Sequence, residues 1–225
     1  MITLYSGLVV KQPLVETLIP VFEAERTEAV ETTFEPTTVL LQRMAEGARP
    51  DLLLGVTSSL EQTAAQGLLD PETITEVAVS AVGFARLADS PAPANAGTEA
   101  FLDYLLGARA VAYTLSGASG LHFMEQMRRR DLLGRIDERA VRFETGLTAE
   151  AVVDGRADVA IQQVSELRSV PGAHVVEPIP HELQSYGRFA IAARPDAPQA
   201  ALDFIALLTS DRARAAFAEV GLSAP

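Results

Sequence analysis

The chain has 225 residues, of which 48% are hydrophobic and 21% charged, and its formal net charge is -12. This length suffices for one large domain or for two small lobes, each with its own core. The absence of cysteine excludes disulfides and thiolate chemistry. The acidic balance, with no basic patch interleaved with aromatic residues, argues against a nucleic-acid partner. Membrane insertion is not expected, since no window approaches the roughly 18 consecutive apolar residues of a membrane span.

Strand and helix signals alternate from the start of the chain. Strands are predicted at "MITLYSG", "VETTFEP" and "PDLLLGV", and helices at "QPLVETLIPVFEAE", "TTVLLQRMAEG" and "SSLEQTAAQGLL". Pro20 predicts a kink or break in the first helix. The second helix is expected to be capped by Thr37 or Thr38 and the third by Ser58 or Ser59. This order predicts an open α/β sheet with right-handed crossovers.

The second half of the chain continues the alternation. A strand at "EVAVSAVGFARLA", a loop at "SPAPANAG" and a helix at "TEAFLDYLLGA" are followed by two further strand, small-residue loop and helix units. These units are "RAVAYTLSGASGLHFMEQMRRR" and "AVRFETGLTAEAVVDG", and the buried strand "RADVAIQQVSEL" follows them. "GAHVVEPIPHEL" is predicted to be a loop with His174 and His181 on the surface. A late strand, "ELQSYGRFAIAARP", precedes closing helices in "PQAALDFIALLTSDRARAAFAEVGL".

Four predicted strand-to-helix junctions carry small hydroxyl residues and glycines. They are Ser6–Gly7, Thr37–Thr38, residues 116–120 and residues 146–148. In open α/β sheets such junctions lie at the carboxyl ends of strands, where ligands bind, and helix N-termini there attract anions. The pattern predicts a site for a small anion whose oxygens reach the main chain. The same residue types also serve as ordinary caps and turns, so this alternative stays open at each junction.

Four segments resemble, in order and spacing, the type II periplasmic-binding-protein fold, specifically molybdate-binding-like extracellular solute-binding proteins. They are "LYSGLVVKQPLVETLIPVFE", "TTVLLQRMAEGARPDLLLGVTSSLEQTAAQGLL", "GLTAEAVVDGRADVAIQQVSEL" and "ALDFIALLTSDRARAAFAEVGL". The resemblance covers almost the whole chain. It implies an α/β fold of two lobes with mixed sheets and a two-strand hinge. Lobe 1 would comprise residues 1–80 with 188–225 returning to it, and lobe 2 residues 81–187.

The resemblance also implies a ligand shell drawn from both lobes: Ser6, Gly7, Thr37, Thr38, Ser119, the Gly120 amide, the backbone of Leu147 and Thr148, and Gln162 or Gln163. Molybdate binders place a tyrosine where this chain has "AIQQ", and its hydroxyl pair in lobe 1 is threonine rather than serine. A glutamine offers both a donor and an acceptor. These departures put tetrahedral molybdate in doubt, and a carboxylate or other polar organic anion fits at least as well.

Strand alternation past the glutamine pair predicts which side chains share a face. Gln162, Val164 and Glu166 would lie on one side of the sheet and Gln163 and Ser165 on the other, so only one glutamine would face the ligand. Glu166 is expected to be a solvated charge.

Three basic residues lie nearest the predicted cleft, namely Lys11, Arg43 and Arg86. A di- or tricarboxylate ligand would need at least one cationic partner. Lys11, at the start of the first helix, could pair with a carboxylate, although a surface position is the usual one for lysine. Arg43 is expected to point to solvent.

The leading hypothesis is a non-enzymatic, monomeric solute-binding protein that closes two lobes on a small oxyanion or organic carboxylate. It would use no cofactor and no metal, and it could deliver the solute to a membrane permease of the ABC type. The chain has no Ser-His-Asp order, nucleophile elbow or phosphate-binding loop. The location would be cytoplasmic if Met1 is native, and periplasmic or extracellular if a signal peptide was removed.

The alternative hypothesis is a cytoplasmic enzyme on the same scaffold, such as a proton-transfer isomerase that resembles aconitate isomerase and acts on a small carboxylate. It would need a base, and His122 is the only histidine near a predicted junction. A packing role for His122 is the competing interpretation.

Overall fold

The computed structural model describes residues 1–225, which form nine β-strands and eleven α-helical segments. The strands are β1 (Ile2–Ser6), β2 (Val30–Phe34), β3 (Leu52–Val56), β4 (Thr75–Leu87), β5 (Val111–Thr114), β6 (Val141–Phe143), β7 (Val159–Gln163), β8 (His174–Pro178) and β9 (Tyr186–Ala193). The helices are α1 (Lys11–Pro13), α2 (Ile19–Arg26), α3 (Thr37–Ala45), α4 (Thr57–Ala65), α5 (Thr98–Gly107), α6 (Ala118–Arg128), α7 (Leu133–Asp137), α8 (Glu150–Val153), α9 (Val164–Arg168), α10 (Gln199–Leu208) and α11 (Asp211–Glu219). None of these helices is both long and apolar enough to cross a membrane.

The chain divides into two compact units. Unit 1 comprises Met1–Ser80 and Arg188–Pro225, and unit 2 is the contiguous segment Ala81–Gly187. The chain passes from unit 1 to unit 2 within β4 and returns within β9, because each of these strands spans a unit boundary. Unit 1 is therefore built from two separate stretches of sequence.

Unit 1 has a sheet in the order β2-β1-β3-β9, in which the first three strands are parallel and β9 is antiparallel to β3. Alternate residues of the buried strands serve opposite faces. Leu52 and Leu54 belong to the core that also contains Phe204 and Phe217 of α10 and α11. Leu53 packs on the other face with residues of α3 and α4. Helices therefore cover both faces of this sheet.

Unit 2 repeats this plan. Its parallel strands run in the order β6-β5-β7, β4 is antiparallel to β7, and β8 pairs with β4 on the far side. Val159 and Ile161 pack with residues of α5, α6 and α7, whereas Ala160 packs on the opposite face with residues of α8 and α9. The α/β class and the mixed parallel and antiparallel strands predicted from the sequence are confirmed.

Several local predictions are corrected. The interruption predicted at Pro20 takes the form of a π-helical turn at Leu14–Leu18, after which Pro20 stands in the first turn of α2. A proline is tolerated there because the N–H it lacks is not needed in a first turn. The predicted loop around His174 contains strand β8, which the Gly- and Pro-rich flanks of "HVVEP" concealed.

The predicted helix caps are also wrong. α3 begins at Thr37 after Pro36, and no side chain caps it. α4 begins at Thr57 after Val56, again without a side-chain cap, so neither Ser58 nor Ser59 has that role. Both helices start earlier than the hydroxyl residues suggested.

Candidate functional site

In each unit, the carboxyl ends of three adjacent parallel strands lie next to helix starts. In unit 1, β2 is followed by α3 after two residues and β3 by α4 directly, while β1 leads through Gly7 and a 3-10 turn at Leu8–Val10 into α1. In unit 2, β5 is followed by α6, β6 by the loop before α8, and β7 directly by α9. All the predicted ligand-binding residues lie at these strand-end junctions.

Thr37 links two of the junctions in unit 1. Its Oγ1 accepts the Val56 N–H at 3.2 Å, and the side chain is buried. A Cβ added at Gly55 would lie 2.8 Å from both Oγ1 and Cγ2 of Thr37, so this glycine is required by the close approach of the threonine. Because Oγ1 accepts here, the hydroxyl proton of Thr37 remains able to donate to a ligand. Thr38, the next residue, has an exposed side chain.

The Ser6–Gly7 junction is largely bonded within the chain. Ser6 is fully buried and its hydroxyl donates to the Gly7 carbonyl at 3.1 Å. The Gly7 N–H donates to the Leu54 carbonyl at 2.9 Å. These two residues shape the end of β1 but have already used the groups that the sequence assigned to a ligand.

The small residues before α6 are explained by packing of this helix on strand β5. A Cβ at Gly120 would lie 1.9 Å from the carbonyl oxygen of Thr114, and one at Gly117 would lie 2.7 Å from the Thr114 hydroxyl. The prediction that small residues admit a ligand to the main chain is therefore not needed to explain these glycines. Ser119, between them, is buried.

Gln162 fixes the loop between β6 and α8. Its Oε1 accepts the Thr148 N–H at 2.8 Å and the Thr148 hydroxyl at 3.0 Å, and its Nε2 donates to the Gly146 carbonyl at 2.8 Å. Thr148 is fully buried, whereas Leu147 is half-buried. Gln162 thus positions the loop, and the backbone N–H of Thr148 is committed to it.

Gln163 and Glu166 differ from the sequence prediction. Strand alternation does not continue past Gln163, because α9 begins at Val164 and Gln163 is its N-cap residue. The Gln163 N–H donates to the Glu166 carboxylate at 3.2 Å, and Glu166 is buried rather than solvated. Burial raises the pKa of Glu166 from 4.5 to about 7, although the Gln163 N–H and the Gln162 side chain oppose this shift. Gln163 and Glu166 form a capping box, but the sequence signature of this motif has Ser, Thr, Asp or Asn at its first position, so the glutamine concealed this helix start.

Two buried hydroxyl groups of unit 2 have no hydrogen-bond partner within the chain. They belong to Thr114, at the end of β5, and to Ser165, the second residue of α9. Both residues are at most 3% exposed. Buried hydroxyls are normally bonded, so each of these calls for an explanation such as a ligand or an ordered water. Sequence reasoning included neither residue in the ligand shell, because Thr114 ends a strand and Ser165 was assigned to a strand that in fact ends at Gln163.

The histidines are separated from one another. The His122 ring donates from Nε2 to the Leu183 carbonyl at 2.7 Å, which anchors the side chain in unit 2. His174, predicted to be on the surface, begins β8 and bonds the Leu167 carbonyl at 2.9 Å. His181 is exposed, as predicted. In residues 1–225, no group of three or more His, Asp or Glu side chains could hold a metal ion.

Two of the three basic residues near the predicted site already have partners. Arg43 pairs with Glu35 at 3.3 Å and Arg86 with Glu177 at 3.2 Å. Lys11 differs, because its Nζ lies 5.7 Å from the centroid of the Phe34 ring and the residue is exposed.

Comparison with known proteins adds a family and a fold. Residues 2–223 match the family described as bacterial extracellular solute-binding protein. An aconitate isomerase from a Pseudomonas species is 30% identical over 183 residues, which cover 80% of this chain and 70% of that protein.

Two solved structures show the same architecture over the full length of both chains. The periplasmic molybdate-binding protein of Azotobacter vinelandii matches with a TM-score of 0.80 at 17% identity. PEB3 of Campylobacter jejuni, solved with L-phospholactate bound, matches with a TM-score of 0.70, also at 17% identity. At these identities the likeness concerns the fold. It confirms the two-lobed type II periplasmic-binding-protein fold that the resemblance implied.

Proposed function

The chain belongs to the bacterial extracellular solute-binding proteins, and on this premise we propose that it closes its two units on a small organic anion. The observation that carries the proposal is the arrangement repeated in both units, in which three parallel strands end together beside helix starts. Ligands of α/β sheets bind at such edges, and helix N-termini there favour negative charge. Closure would shift an existing open–closed equilibrium, so the ligand must contact both units.

Hydroxyl groups at these junctions support an anion as ligand. Thr37 in unit 1 retains a hydroxyl proton, and Thr114 and Ser165 in unit 2 have buried hydroxyls without a partner in the chain. Each could donate to an oxygen of a bound anion, which would remove the cost of leaving it unpaired. We therefore add Thr114 and Ser165 to the proposed ligand shell, and assign Gln162 to holding the loop that contains Thr148.

The relatives favour a carboxylate over molybdate. The aconitate isomerase matches this chain in sequence, at 30% identity over 183 residues, whereas the likeness to the molybdate-binding protein, at 17% identity, concerns the fold. PEB3 was solved with a ligand that carries both a carboxylate and a phosphate. The proposed ligand class is accordingly a small organic acid, and the proposed partner for delivery is a membrane permease of the ABC type.

A thermal-shift screen tests this proposal. The purified protein is heated with molybdate, tungstate, sulfate or phosphate, and with small mono-, di- and tricarboxylates. A ligand that binds only the folded state raises the melting temperature as its concentration rises. We expect such a rise with carboxylates, and a protein unaffected by every anion would contradict the proposal.

Ser165→Ala makes the test specific to the site. Removing a buried hydroxyl that has no partner should leave the free protein as stable as before or more stable. The affinity for the anion identified in the screen should fall about tenfold. The matched control is Ser169→Ala at the C-terminal end of the same helix, whose hydroxyl donates to the Glu166 carbonyl at 2.7 Å. This control should lose stability but keep its affinity.

A second candidate function is isomerisation of a small unsaturated carboxylate. The 30% identity to an aconitate isomerase favours it, and so does the buried carboxyl of Glu166 beside the end of β7. A group whose pKa lies near neutral pH can both accept and donate a proton, whereas His122 already donates from Nε2 to Leu183.

The assay for this second function is NMR in D₂O with cis- and trans-aconitate. Interconversion, or deuterium incorporation that depends on the protein, would support an enzyme. Glu166→Gln and His122→Ala would then separate the two candidate bases, since only loss of the true base abolishes turnover while ligand affinity is kept. Binding without exchange would contradict the isomerase function and support solute binding only.

A further inference from the structure

Lys11 differs from Arg43 and Arg86, the two other basic residues predicted to lie near the site. It is the only lysine of the chain, and the other seventeen basic residues are arginines. In residues 1–225 Lys11 makes no ion pair, whereas Arg43 and Arg86 are each held by a glutamate. Its charge is therefore not neutralised, in a protein whose net charge is -12.

The ring of Phe34 holds this ammonium group at a defined place in unit 1. Phe34 ends β2 and pairs in register with Ser6, the last residue of β1. Thr37 follows three residues later, so the ring, the ammonium group and the Thr37 hydroxyl belong to the same edge of the sheet. A lysine ammonium group over an aromatic face is attracted by the negative face of the ring. This contact restrains the long side chain but leaves its three N–H donors available.

A cation at this edge has consequences for the class of ligand. One carboxylate or one oxyanion can be satisfied by backbone amides and hydroxyls alone. A second acidic group would require a further charged partner, because a carboxylate that loses water without one is costly to bind. Glu35, the residue after Phe34, is already paired with Arg43 at 3.3 Å.

We propose that Lys11, positioned by Phe34, binds a second acidic group of the ligand, so that the ligand is an organic acid with at least two acidic groups. This inference rests on the proposed function and narrows its ligand class. Monocarboxylates and simple oxyanions would not engage Lys11.

The test is calorimetric titration of the purified protein with citrate, succinate, acetate and molybdate. Lys11→Met should lower the affinity for citrate and succinate about tenfold or more, since a charge-assisted hydrogen bond is lost. Lys11→Arg keeps the charge and should recover most of the affinity. Phe34→Leu removes the ring and should cost a smaller factor, about twofold to fivefold. The citrate affinity of the wild type should also fall more steeply with salt than that of Lys11→Met.

Arg43→Met is the matched control, because it removes a nearby exposed cation that already has a carboxylate partner. It should change citrate affinity less than threefold. If Lys11→Met binds citrate as tightly as the wild type, or loses acetate and citrate equally, the role of Lys11 is overturned while the proposed function stands. If the wild type binds none of the anions, the proposed function itself fails and this inference with it.

Discussion

The two units share one strand order, β2-β1-β3 in unit 1 and β6-β5-β7 in unit 2. They differ in how the segment after β2 is attached to β3 and how the segment after β6 is attached to β7. In unit 1, Thr37 packs directly on Gly55 and accepts the Val56 N–H. In unit 2, the Thr148 hydroxyl lies 3.3 Å from the Ile161 carbonyl of β7, and Gln162 holds the same loop with three hydrogen bonds. In both units a threonine is thus held against the third strand. In unit 1 the contact is possible because Gly55 has no side chain, and in unit 2 the long side chain of Gln162 bonds the threonine.

The helix starts that follow β3 and β7 also differ in charge. In unit 1 the Thr57 hydroxyl donates to Glu76, and hydrogen bonds from Arg188 lower the pKa of that carboxyl. In unit 2 the corresponding helix start contains Glu166, which has no basic partner and whose pKa is raised by burial. Unit 1 therefore keeps its carboxylate charged near neutral pH, whereas unit 2 holds one close to its midpoint. A change of pH from 6 to 8 should act on unit 2 first.

The largest effect is expected from Gly120→Ala. The new methyl group would overlap the Thr114 carbonyl at 1.9 Å, and backbone atoms cannot move aside cheaply. We expect a loss of about 3 kcal/mol or more in the free energy of unfolding, measured in urea. Gly134→Ala in α7 is the control, because nothing lies within 4 Å of its added Cβ and it should be neutral or stabilising. Equal stability of the two variants would contradict the packing explanation for the small residues before α6.

The next effect concerns pH. The pKa of Glu166 is raised in the folded state, so its protonated form stabilises the protein fully below about pH 4.5, and this stabilisation is lost as the pH rises through about 7. Glu166→Gln lacks this dependence. Between pH 5 and pH 8 the wild type should lose about 2–3 kcal/mol relative to the variant, measured by urea unfolding at each pH. Parallel pH profiles of the two proteins would show that Glu166 titrates normally.

Gln162→Leu should release the loop that contains Thr148 in unit 2. The expected loss in the free energy of unfolding is somewhat smaller than for the preceding prediction. The variant leaves the Thr148 N–H and the Gly146 carbonyl without their partner, for a loss of about 2 kcal/mol. Hydrogen exchange of the 146–148 amides should rise more than that of the β5 amides. A uniform rise across unit 2 would indicate general destabilisation instead of local release of the loop.

Gly55→Ala should have the smallest effect of the four, about 1–2 kcal/mol. The added Cβ meets a threonine side chain, which can rotate if it gives up its bond to the Val56 N–H. In the double variant with Thr37→Ser the methyl group that clashes is gone, and part of the stability should return. A double-mutant cycle measures this coupling directly, and strict additivity would rule out the contact as the cause.

Much of the architecture could be predicted from the sequence, because the buried strands are strongly apolar. "PDLLLGV" and "RADVAIQQ" sit between helices covering both faces, and such runs indicate parallel strands. The order of the elements then specified the fold. β8 was missed because its two valines lie between glycine and proline signals, which predict a loop.

The site was harder to predict, because small polar residues have several uses. Thr37 and Thr148 were selected correctly as junction residues, but their hydrogen bonds to Val56 and Gln162 depend on strands distant in sequence. Glu166 is buried because the chain changes from strand to helix at Val164, and side chains then follow the helical spacing. Alternation alone could not show that change. The role of the glycines before α6 could not be predicted from the sequence, because it depends on the Thr114 carbonyl packed against them.

The two crossings within β4 and β9 also determine the order in which the protein can fold as it is synthesised. Unit 2 is one contiguous segment and is complete once Gly187 has been made. Unit 1 must wait, because β9 pairs with β3 and α10 places Phe204 5.0 Å from Phe22, ring to ring. Until then β3 has an unpaired edge, and the apolar face around Phe22 is uncovered. The N-terminal third of the nascent chain is therefore the part that most needs a chaperone, although its sequence emerges from the ribosome first.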